Sequence, residues 1–312
     1  MNEILYFGSD SFGIPSLEEL KKHSRLLGIV TSPDRPKGRG LKISCTPVKE
    51  WALKNNIPVY QPESLSGRDF ADSLKNLKPE LIVLISYGKI LPCSVLEIPS
   101  AAAINVHPSL LPKYRGAAPM EWALINGEEE TGITVMNMHC KMDAGGIIMQ
   151  KKTAVDGKDD IFTLKSRLSS IAPDILIESI RLIKKGAAPS PQEGTPTYAR
   201  KLTKEDGLIR WNKTAAEIYN LIRGTKEWPG AYTYINGKYL KIFHAEPGTE
   251  CGTCGEPGEI ANTGKDFICV ACGGDTFLKI MEVQIEGKKR MPVREFLKGH
   301  KIITGDSFSE TK

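Results

Sequence analysis

Short apolar runs alternate with helical patterns over the first half of the chain. The clearest runs are Ile4–Phe7 and Leu81–Ile85, and such uninterrupted runs are typical of parallel strands covered on both faces. Weaker patterns predict further strands at residues 26–31, 59–60, 131–138 and 147–153. Helical spacing predicts helices at about residues 15–22, 48–55, 68–77, 119–126 and 161–185, the last one kinked or broken at Pro173. This alternation favours a doubly wound α/β sheet.

The pattern changes after a segment rich in Pro, Ala and Gly at residues 186–196. Regular short strands with Gly and Asn turns between them then indicate a small barrel. These strands are expected at residues 233–235, 239–243, 258–262, 267–272 and 277–283. The sequence therefore predicts a first domain at 1–188, a linker at 189–206 and a second domain at 207–312.

The stretch Ile104–Gly116 reads I-N-V-H-P-S-L-L-P-K-Y-R-G. Pro108 ends the strand that enters it, because proline cannot donate to a sheet ladder. Asn105 and His107 are two residues apart, so a strand points both side chains to the same face, at the carboxyl edge where open α/β sheets build their sites. The turn M-D-A-G-G adds Asp143. This set favours a functional site over a histidine that is merely satisfied within the core.

Four cations are concentrated in the segment from Ser32 to Lys42. The formal net charge of the chain is only +5, from 42 Lys and Arg against 37 Asp and Glu, which permits a polyanionic partner without requiring one. The segment is longer than the roughly 2–6 residues usual in α/β connections. It favours contact with a phosphate backbone, with a solvated surface loop as the equal alternative. The cations are Arg35, Lys37, Arg39 and Lys42.

Several function classes are poorly supported by the pattern. No apolar run approaches the ~20 residues that span a bilayer, and the chain opens without the features of a secretion signal. We therefore expect a cytoplasmic protein without membrane association. The turn G-S-D-S-F-G at residues 8–13 is not the G-x-G-x-x-G dinucleotide fingerprint, and both a tight turn and a phosphate cradle stay open there.

The chain contains seven cysteines, and a reducing compartment favours thiols or metal ligands over disulfides. Two C-x-x-C-G motifs have the spacing of a tetrahedral zinc ribbon. If Cys269 and Cys272 share one strand, however, they face opposite sides and cannot both bind one metal without a turn. Zinc stays an alternative to a metal-free domain, with the ligands Cys251, Cys254, Cys269 and Cys272. The remaining cysteines are expected as buried free thiols, namely Cys45, Cys93 and Cys140.

Taken together, the motifs closely resemble those of methionyl-tRNA formyltransferases from end to end. They are I-N-V-H-P-S-L-L-P-K-Y-R-G, S-Y-G-K-I-L-P, M-D-A-G-G, P-D-R-P-K-G-R-G, T-P-T-Y-A-R-K-L, W-P-G-A-Y-T and V-Q-I-E-G-K-K-R-M. The Asn–His–Asp set and the S-L-L-P loop are shared by all folate-dependent formyltransferases and specify only the reaction class. The basic loop and the barrel domain narrow the resemblance to the tRNA enzymes, in which zinc is not a family property.

The resemblance implies a Rossmann-like formyltransferase domain followed by an OB-like barrel that helps to hold tRNA. The expected reaction moves the formyl group of 10-formyltetrahydrofolate to the amine of methionine on initiator tRNA, in a monomer that needs no metal for catalysis. Asn105, His107 and Asp143 align with the catalytic residues, and Arg39 lies in the loop that approaches the acceptor stem. The folate loop is matched by Ser109, Leu110, Leu111 and Pro112. The pterin pocket is expected against Tyr87, Lys89, Ile90 and Leu91, with core packing as the alternative for the last two.

The same residues suit the chemistry. Attack of an amine on a formyl carbon gives an oxyanion that needs donors, which Asn105 and a protonated His107 can supply. His107 coupled to Asp143 can move the proton, directly or through water. Two alternatives stay open: a sugar-nucleotide N-formyltransferase with the same site, and a catalytically idle folate- or RNA-binding module.

Overall fold

The computed structural model describes residues 2–37, 42–248 and 255–312. The chain forms two compact units. The first contains Met1–Pro119, Glu130–Ala154 and Leu164–Arg200, and the second contains Met120–Glu129, Val155–Thr163 and Lys201–Lys312. The predicted linker is divided between them, because its residues 189–200 belong to the first unit and its residues 201–206 to the second.

A seven-stranded sheet is the centre of the first unit. Its strands are β1 (Asn2–Gly8), β2 (Ser24–Val30), β5 (Val59–Tyr60), β6 (Leu81–Ile85), β7 (Ala102–His107), β9 (Glu130–Asn137) and β10 (Ile147–Ala154). The strand order is β10-β9-β7-β6-β1-β2-β5, with parallel pairing from β7 to β5 and antiparallel pairing of β9 and β10. Every residue of β6 is buried, as expected for a parallel strand covered on both faces. The α/β fold class predicted from the alternating pattern is confirmed.

Five of the six α-helices described up to Lys184 follow the predicted positions closely, and the short α4 was not predicted. The six are α1 (Ile14–His23), α2 (Pro47–Lys54), α3 (Arg68–Asn76), α4 (Cys93–Leu96), α5 (Pro119–Ile125) and α6 (Ile161–Lys184). Thr46 caps α2 by accepting from the N–H of Lys49 at 3.1 Å, with proline in the favoured first turn. Pro173 lies inside α6 without ending it.

The turn after β1 is explained by Tyr6. A Cβ atom at Gly8 or Gly13 would collide with the Tyr6 side chain, so both positions need glycine to let this fully buried ring fill the turn. Of the two interpretations left open for G-S-D-S-F-G, this packing favours the tight turn.

Two short strands at the ends of the basic segment pair with each other as a hairpin. Strands β3 (Arg35–Lys37) and β4 (Lys42–Ser44) pair in antiparallel register, whereas the sequence suggested an irregular loop. Arg39 lies outside the described residues. The base of the hairpin is held by Gln61, whose Nε2 donates to the Ser32 carbonyl and to Asp34 Oδ1, both at 2.8 Å.

The second unit is built on a six-stranded antiparallel sheet. Its strands are β12 (Tyr232–Ile235), β13 (Lys238–Gly248), β14 (Ile260–Thr263), β15 (Ile268–Cys272), β16 (Thr276–Ile285) and β17 (Met291–Pro292). The order is β12-β13-β16-β15-β14, with β17 beside β16. Helices α7 (Ala215–Thr225) and α8 (Val293–Gly299) pack against this sheet.

The C-terminal segment joins the two edges of this sheet. Ser309 exchanges main-chain hydrogen bonds with Tyr234 of β12 at 2.8 and 2.9 Å. Three residues earlier, the carbonyl of Asp306 accepts from the N–H of Ile260 of β14 at 2.7 Å. The sheet is therefore curled, and the predicted small OB-like barrel is confirmed as a curled antiparallel sheet of short strands.

Helix α7 explains why residues 155–163 belong to the second unit. Nη1 of Arg223 donates to the carbonyls of Asp156 and Asp159 at 3.1 and 3.2 Å, and the Tyr219 hydroxyl donates to the Gly157 carbonyl at 3.1 Å. A buried guanidinium needs such partners, so these bonds fix the segment to the helix.

The cysteine predictions have mixed outcomes. Cys93 and Cys140 are joined by a disulfide although they are 47 residues apart, so the expectation of two buried free thiols was wrong. Both residues are exposed, and they meet because α4 and the turn after β9 are neighbours in space. Cys45 is a free thiol, half-buried rather than buried.

Candidate active site

Two polar side chains occupy the carboxyl end of β7. Asn105 and His107 are buried, with 8% and 4% of their surfaces exposed. Their spacing puts both on the face that meets Asp143: Asn105 Nδ2 lies 3.4 Å from Asp143 Oδ1, and His107 Nδ1 lies 3.9 Å from Asp143 Oδ2. The structure therefore brings together the three residues that the sequence singled out for catalysis.

The imidazole of His107 is oriented by a main-chain group. Its Nε2 lies 2.9 Å from the carbonyl oxygen of Tyr114. Because a carbonyl oxygen can only accept, Nε2 must carry a proton. Tyr114 adopts a left-handed conformation, with φ of 60°, which turns this carbonyl toward the ring. In the neutral ring Nδ1 is then the nitrogen with a free lone pair, and it faces Asp143.

Asp143 is fixed by its own turn and by the chain opposite. Its φ is 48°, a left-handed conformation that Asp tolerates better than most residues. The N–H of Gly116 donates to its Oδ2 at 2.8 Å. In the same turn a Cβ atom at Gly145 would collide with the Asn137 carbonyl, so glycine is required for the close approach of the turn to β9.

The predicted folate loop is tied to β9 and β10. Thr134 Oγ1 donates to the Ser109 carbonyl at 2.6 Å and accepts from the N–H of Leu111 at 3.2 Å. Gln150 Nε2 donates to the Leu111 carbonyl at 2.9 Å. Ser109 itself is fully buried, and its hydroxyl donates to the Lys113 carbonyl at 2.7 Å. These bonds hold the residues Ser109, Leu110, Leu111 and Pro112 in one shape directly after His107.

The second predicted loop follows β6, the neighbour of β7. Tyr87 and Leu91 are buried in the hydrophobic core of the first unit, where the Tyr87 ring meets Phe7 edge to face and burial raises its pKa to about 12. Ile90 is 69% exposed, and Lys89 Nζ donates to the Glu63 carbonyl at 3.3 Å. Core packing, the alternative interpretation, thus describes the Leu91 side chain but not that of Ile90.

The sequence interpretation missed the contribution of the predicted linker. Gln192 Nε2 donates to the carbonyls of Asp143 and Gly145, both at 2.8 Å. Thr197 Oγ1 accepts from the N–H of Tyr114 at 2.9 Å, and β11 (Tyr198–Ala199) pairs with β8 (Arg115–Gly116). The one signal that could have shown this was T-P-T-Y-A-R-K-L, which carried part of the family resemblance.

Of the four residues proposed for zinc, Cys269 and Cys272 lie in the described part of the chain. Cys251 and Cys254 lie outside the described residues. On β15, Cys272 is a free thiol in the main core of the second unit, whereas Cys269 is disulfide-bonded and lies in a separate cluster with Phe277. Burial raises the pKa of the Cys272 thiol to about 12. Within the described ranges, no three His, Cys, Asp or Glu side chains are grouped as metal ligands would be.

Comparisons with known proteins identify the family. A family model described as "Formyl transferase" matches residues 3–180, and one described as "Formyl transferase, C-terminal domain" matches residues 201–301. A methionyl-tRNA formyltransferase from Pelotomaculum thermopropionicum is 43% identical over 298 residues, 95% of each chain. One from Caldanaerobacter subterraneus subsp. tengcongensis is 45% identical, over 97% of this chain and 98% of the relative. The chain belongs to the methionyl-tRNA formyltransferase family.

Solved structures place this formyltransferase in the same fold. The sugar 3N-formyl transferase WlaRD matches it with a TM-score of 0.69 over 93% of this chain and 99% of that one, at 19% identity. At that identity the match shows the shared fold alone. None of the helices in the described ranges has the length and apolar character needed to cross a membrane.

Proposed function

We propose that this formyltransferase moves the formyl group of 10-formyltetrahydrofolate to the free amino group of methionine carried by initiator tRNA. The observation that carries the reaction type is the convergence of Asn105, His107 and Asp143 at the end of β7. The choice of methionyl-tRNA as acceptor is supported by the identity of 43–45% with methionyl-tRNA formyltransferases over nearly the whole chain. A monomer acting in the cytoplasm completes the proposal.

The proton route follows from the tautomer of His107. The amine nitrogen attacks the formyl carbon, the C=O electron pair moves to oxygen, and Nδ1 of His107 accepts the amine proton. The charge then on the ring lies 3.9 Å from Asp143 Oδ2. At an effective dielectric constant of 20 that attraction is worth roughly 4 kcal/mol. When the intermediate collapses, the bond from carbon to the folate nitrogen breaks and this nitrogen takes the proton from Nδ1.

Asn105 is assigned to the developing oxyanion. Its Nδ2 approaches Asp143 Oδ1 at 3.4 Å, and the second N–H of the same amide is the donor for the substrate oxygen. The amide is buried, and Asn105 is itself a residue of β7 within the sheet, so the donor needs little reorganisation during the reaction. One such donor is worth about 3 kcal/mol of transition-state stabilisation.

The folate is assigned to the two loops after β6 and β7. Leu84 pairs with Asn105 in the sheet, so the loop at Tyr87, Lys89, Ile90 and Leu91 begins beside the catalytic strand. The exposed Ile90 and the main chain of Ser109–Pro112 are the proposed walls for the pterin, since such pockets combine apolar surface with a few fixed polar groups.

The basic hairpin is assigned to the phosphates of the acceptor stem, through Arg35, Lys37, Arg39 and Lys42. Arg35 is exposed. Replacing Arg35 or Arg39 by Ala should weaken tRNA binding and reduce the slope of log K against log salt by about one ion. Lys54→Ala, an exposed cation at the end of α2, is the control and should leave the slope unchanged. Unchanged slopes in the hairpin variants would contradict the assignment.

The experiment that tests the function offers two acceptors side by side. Purified enzyme and 10-formyltetrahydrofolate are mixed with methionyl-initiator tRNA or with an amino-sugar nucleotide, and product is followed by mass spectrometry. We expect formylation of the tRNA alone. Formylation of the sugar alone would retain the site and overturn the acceptor. Folate binding without any transfer would overturn the catalytic proposal in favour of an idle binding module.

A further inference from the structure

Gln192 makes four hydrogen bonds, and they use each side of its amide differently. Nε2 donates to the carbonyls of Asp143 and Gly145, both at 2.8 Å. Oε1 accepts from Nε and Nη2 of Arg115, at 3.1 and 2.6 Å. These four bonds require a side chain that has two N–H donors and an acceptor oxygen on one planar group. Among the amino acids, only the primary amides of Asn and Gln have this combination.

These bonds join the two segments that fix the catalytic carboxylate. Arg115 immediately precedes Gly116, whose N–H donates to Asp143 Oδ2 at 2.8 Å. Gln192 therefore binds the main chain of the Asp143 turn through its Nε2. Through its Oε1 it binds Arg115, the neighbour of Gly116, whose N–H donates to the Asp143 carboxylate. The Asp143 backbone is left-handed, a conformation that persists when surrounding contacts hold it.

The segment that carries Gln192 has a separate attachment to the same loop. The N–H of Arg115 donates to the Thr197 carbonyl at 2.9 Å, and the N–H of Ala117 donates to the Ala199 carbonyl at 2.8 Å. The pairing of β8 with β11 thus holds residues 197–199 in place without the Gln192 side chain. What Gln192 adds is a connection to Asp143.

We propose that Gln192 is a positioning residue for the formyl transfer, which holds Asp143 at the distance from His107 and Asn105 that proton transfer needs. This inference rests on the proposed function for its kinetic consequences, but its structural part can be measured without any substrate. A misplacement of about 1 Å at a catalytic group costs on the order of 10²-fold in rate, so loss of these bonds should lower kcat.

Two variants separate this role from simple docking of the segment. Gln192→Met keeps the length of the side chain and loses all four bonds. Gln192→Glu keeps the acceptor for Arg115 but sets a carboxylate oxygen against the carbonyls of Asp143 and Gly145. If Gln192 only docks the segment through Arg115, the Glu variant should match the wild type. If it positions Asp143, the Glu variant should fail as the Met variant does.

The kinetic test measures kcat and KM for both substrates. We expect kcat to fall about 10- to 100-fold in both variants, with each KM within about threefold of the wild type.

In an Asp143→Asn background, Gln192→Met should change kcat by less than about threefold, because the two residues act as a unit. Asn76→Met, at an exposed amide at the end of α3, is the control and should keep full activity. Full activity of Gln192→Glu, or an additive double variant, would overturn the proposal.

The structural test follows amide hydrogen exchange in the full chain. In Gln192→Met the Gly116 amide should exchange at least about tenfold faster, because its acceptor Asp143 is no longer held, while the Arg115 and Ala117 amides keep their protection. An equal increase in the exchange rates of all three amides, or an unchanged exchange rate of the Gly116 amide, would show that Gln192 does not act through Asp143. If the wild type transfers no formyl group, the proposed function fails, and this exchange pattern alone decides the role of Gln192.

Discussion

The main-chain N–H of Gly116 donates a hydrogen bond of 2.8 Å to Oδ2 of Asp143. This same oxygen lies 3.9 Å from His107 Nδ1, while the other carboxylate oxygen faces Asn105. One carboxylate oxygen therefore meets both a fixed donor and the proposed proton acceptor, and the other oxygen meets the proposed oxyanion donor. Its orientation depends on the loop after β7 as much as on its own turn.

Removing the charge of Asp143 should separate chemistry from binding. Asp143→Asn keeps an oxygen that can accept from Gly116 but cannot stabilise a protonated His107, so we expect kcat to fall by about 10²–10⁴-fold. His107→Ala should lose a similar amount. Folate affinity, measured by fluorescence or calorimetry, should stay near normal in both. Asp174→Asn, an exposed acid on α6, is the control; retention of most activity in either site variant would show that its residue has no catalytic role.

Truncating the proposed oxyanion donor should reduce turnover with little change in affinity. Asn105→Ala removes the amide from the buried end of β7, and loss of one such donor lowers kcat by about 10²–10³-fold. Single-turnover measurements separate this chemical step from product release. Asn76→Ala, at the exposed end of α3, controls for general effects. A loss below about tenfold would assign the oxyanion to another group.

A methyl group at Gly116 should damage both the fold and the site. The φ of Gly116 is 124°, and an added Cβ atom would lie 2.5 Å from the Ala199 carbonyl. Gly116→Ala must therefore strain the backbone or separate β8 from β11, and we expect it to cost about 1–3 kcal/mol, seen as a lower Tm, together with a fall in kcat. Gly67→Ala is the matched control, because its Cβ atom would have open space around it. Equal Tm values would contradict the close approach at Gly116.

Local patterns were sufficient for the sheet and for bringing together the three residues proposed for catalysis. The period of two along β7 placed Asn105 and His107 on one face, and a glycine-rich turn after β9 marked Asp143. The orientation of His107 could not be predicted, because it depends on a left-handed Tyr114, a conformation that is uncommon for residues other than glycine. No local pattern signals it.

Contacts between distant segments were the other limit. Gln192 lies in a stretch whose Pro and Gly content is typical of linkers, yet its amide meets a turn 49 residues earlier. The Cys93–Cys140 disulfide likewise depends on which loops become neighbours. Both relationships are products of tertiary packing, which periodicity within one element cannot show.

The cysteine pairs of the second unit should not retain zinc. A ligating cysteine must be a thiolate, whereas Cys269 is disulfide-bonded and Cys272 lies in a different core cluster from Cys269. We expect less than about a tenth of an equivalent of zinc in protein purified without added metal, by plasma mass spectrometry. Cys272→Val should keep the fold, since valine fills a similar apolar site. One equivalent of zinc, lost in Cys272→Val, would establish the metal site.

The aromatic pair formed by Trp211 and Phe308 should govern the stability of the second unit. The rings stack with centroids 5.3 Å apart, and Phe308 is only 4% exposed although it lies near the end of the chain. Its N–H donates to the Gly258 carbonyl at 2.9 Å, within the segment that joins both edges of the sheet. Phe308→Ala leaves a cavity against Trp211 and should cost about 3–5 kcal/mol.

The measurement is denaturant unfolding of the full chain, followed by circular dichroism and by tryptophan fluorescence, to which Trp211 is one of four contributors. Phe162→Ala removes a ring that is 50% exposed, and it should cost less than about 1 kcal/mol. Phe308→Leu retains apolar volume and should fall between the two. If Phe308→Ala costs no more than Phe162→Ala, the C-terminal segment lies on the sheet without completing its core, and the curled sheet must be stable through β12–β17, α7 and α8 alone.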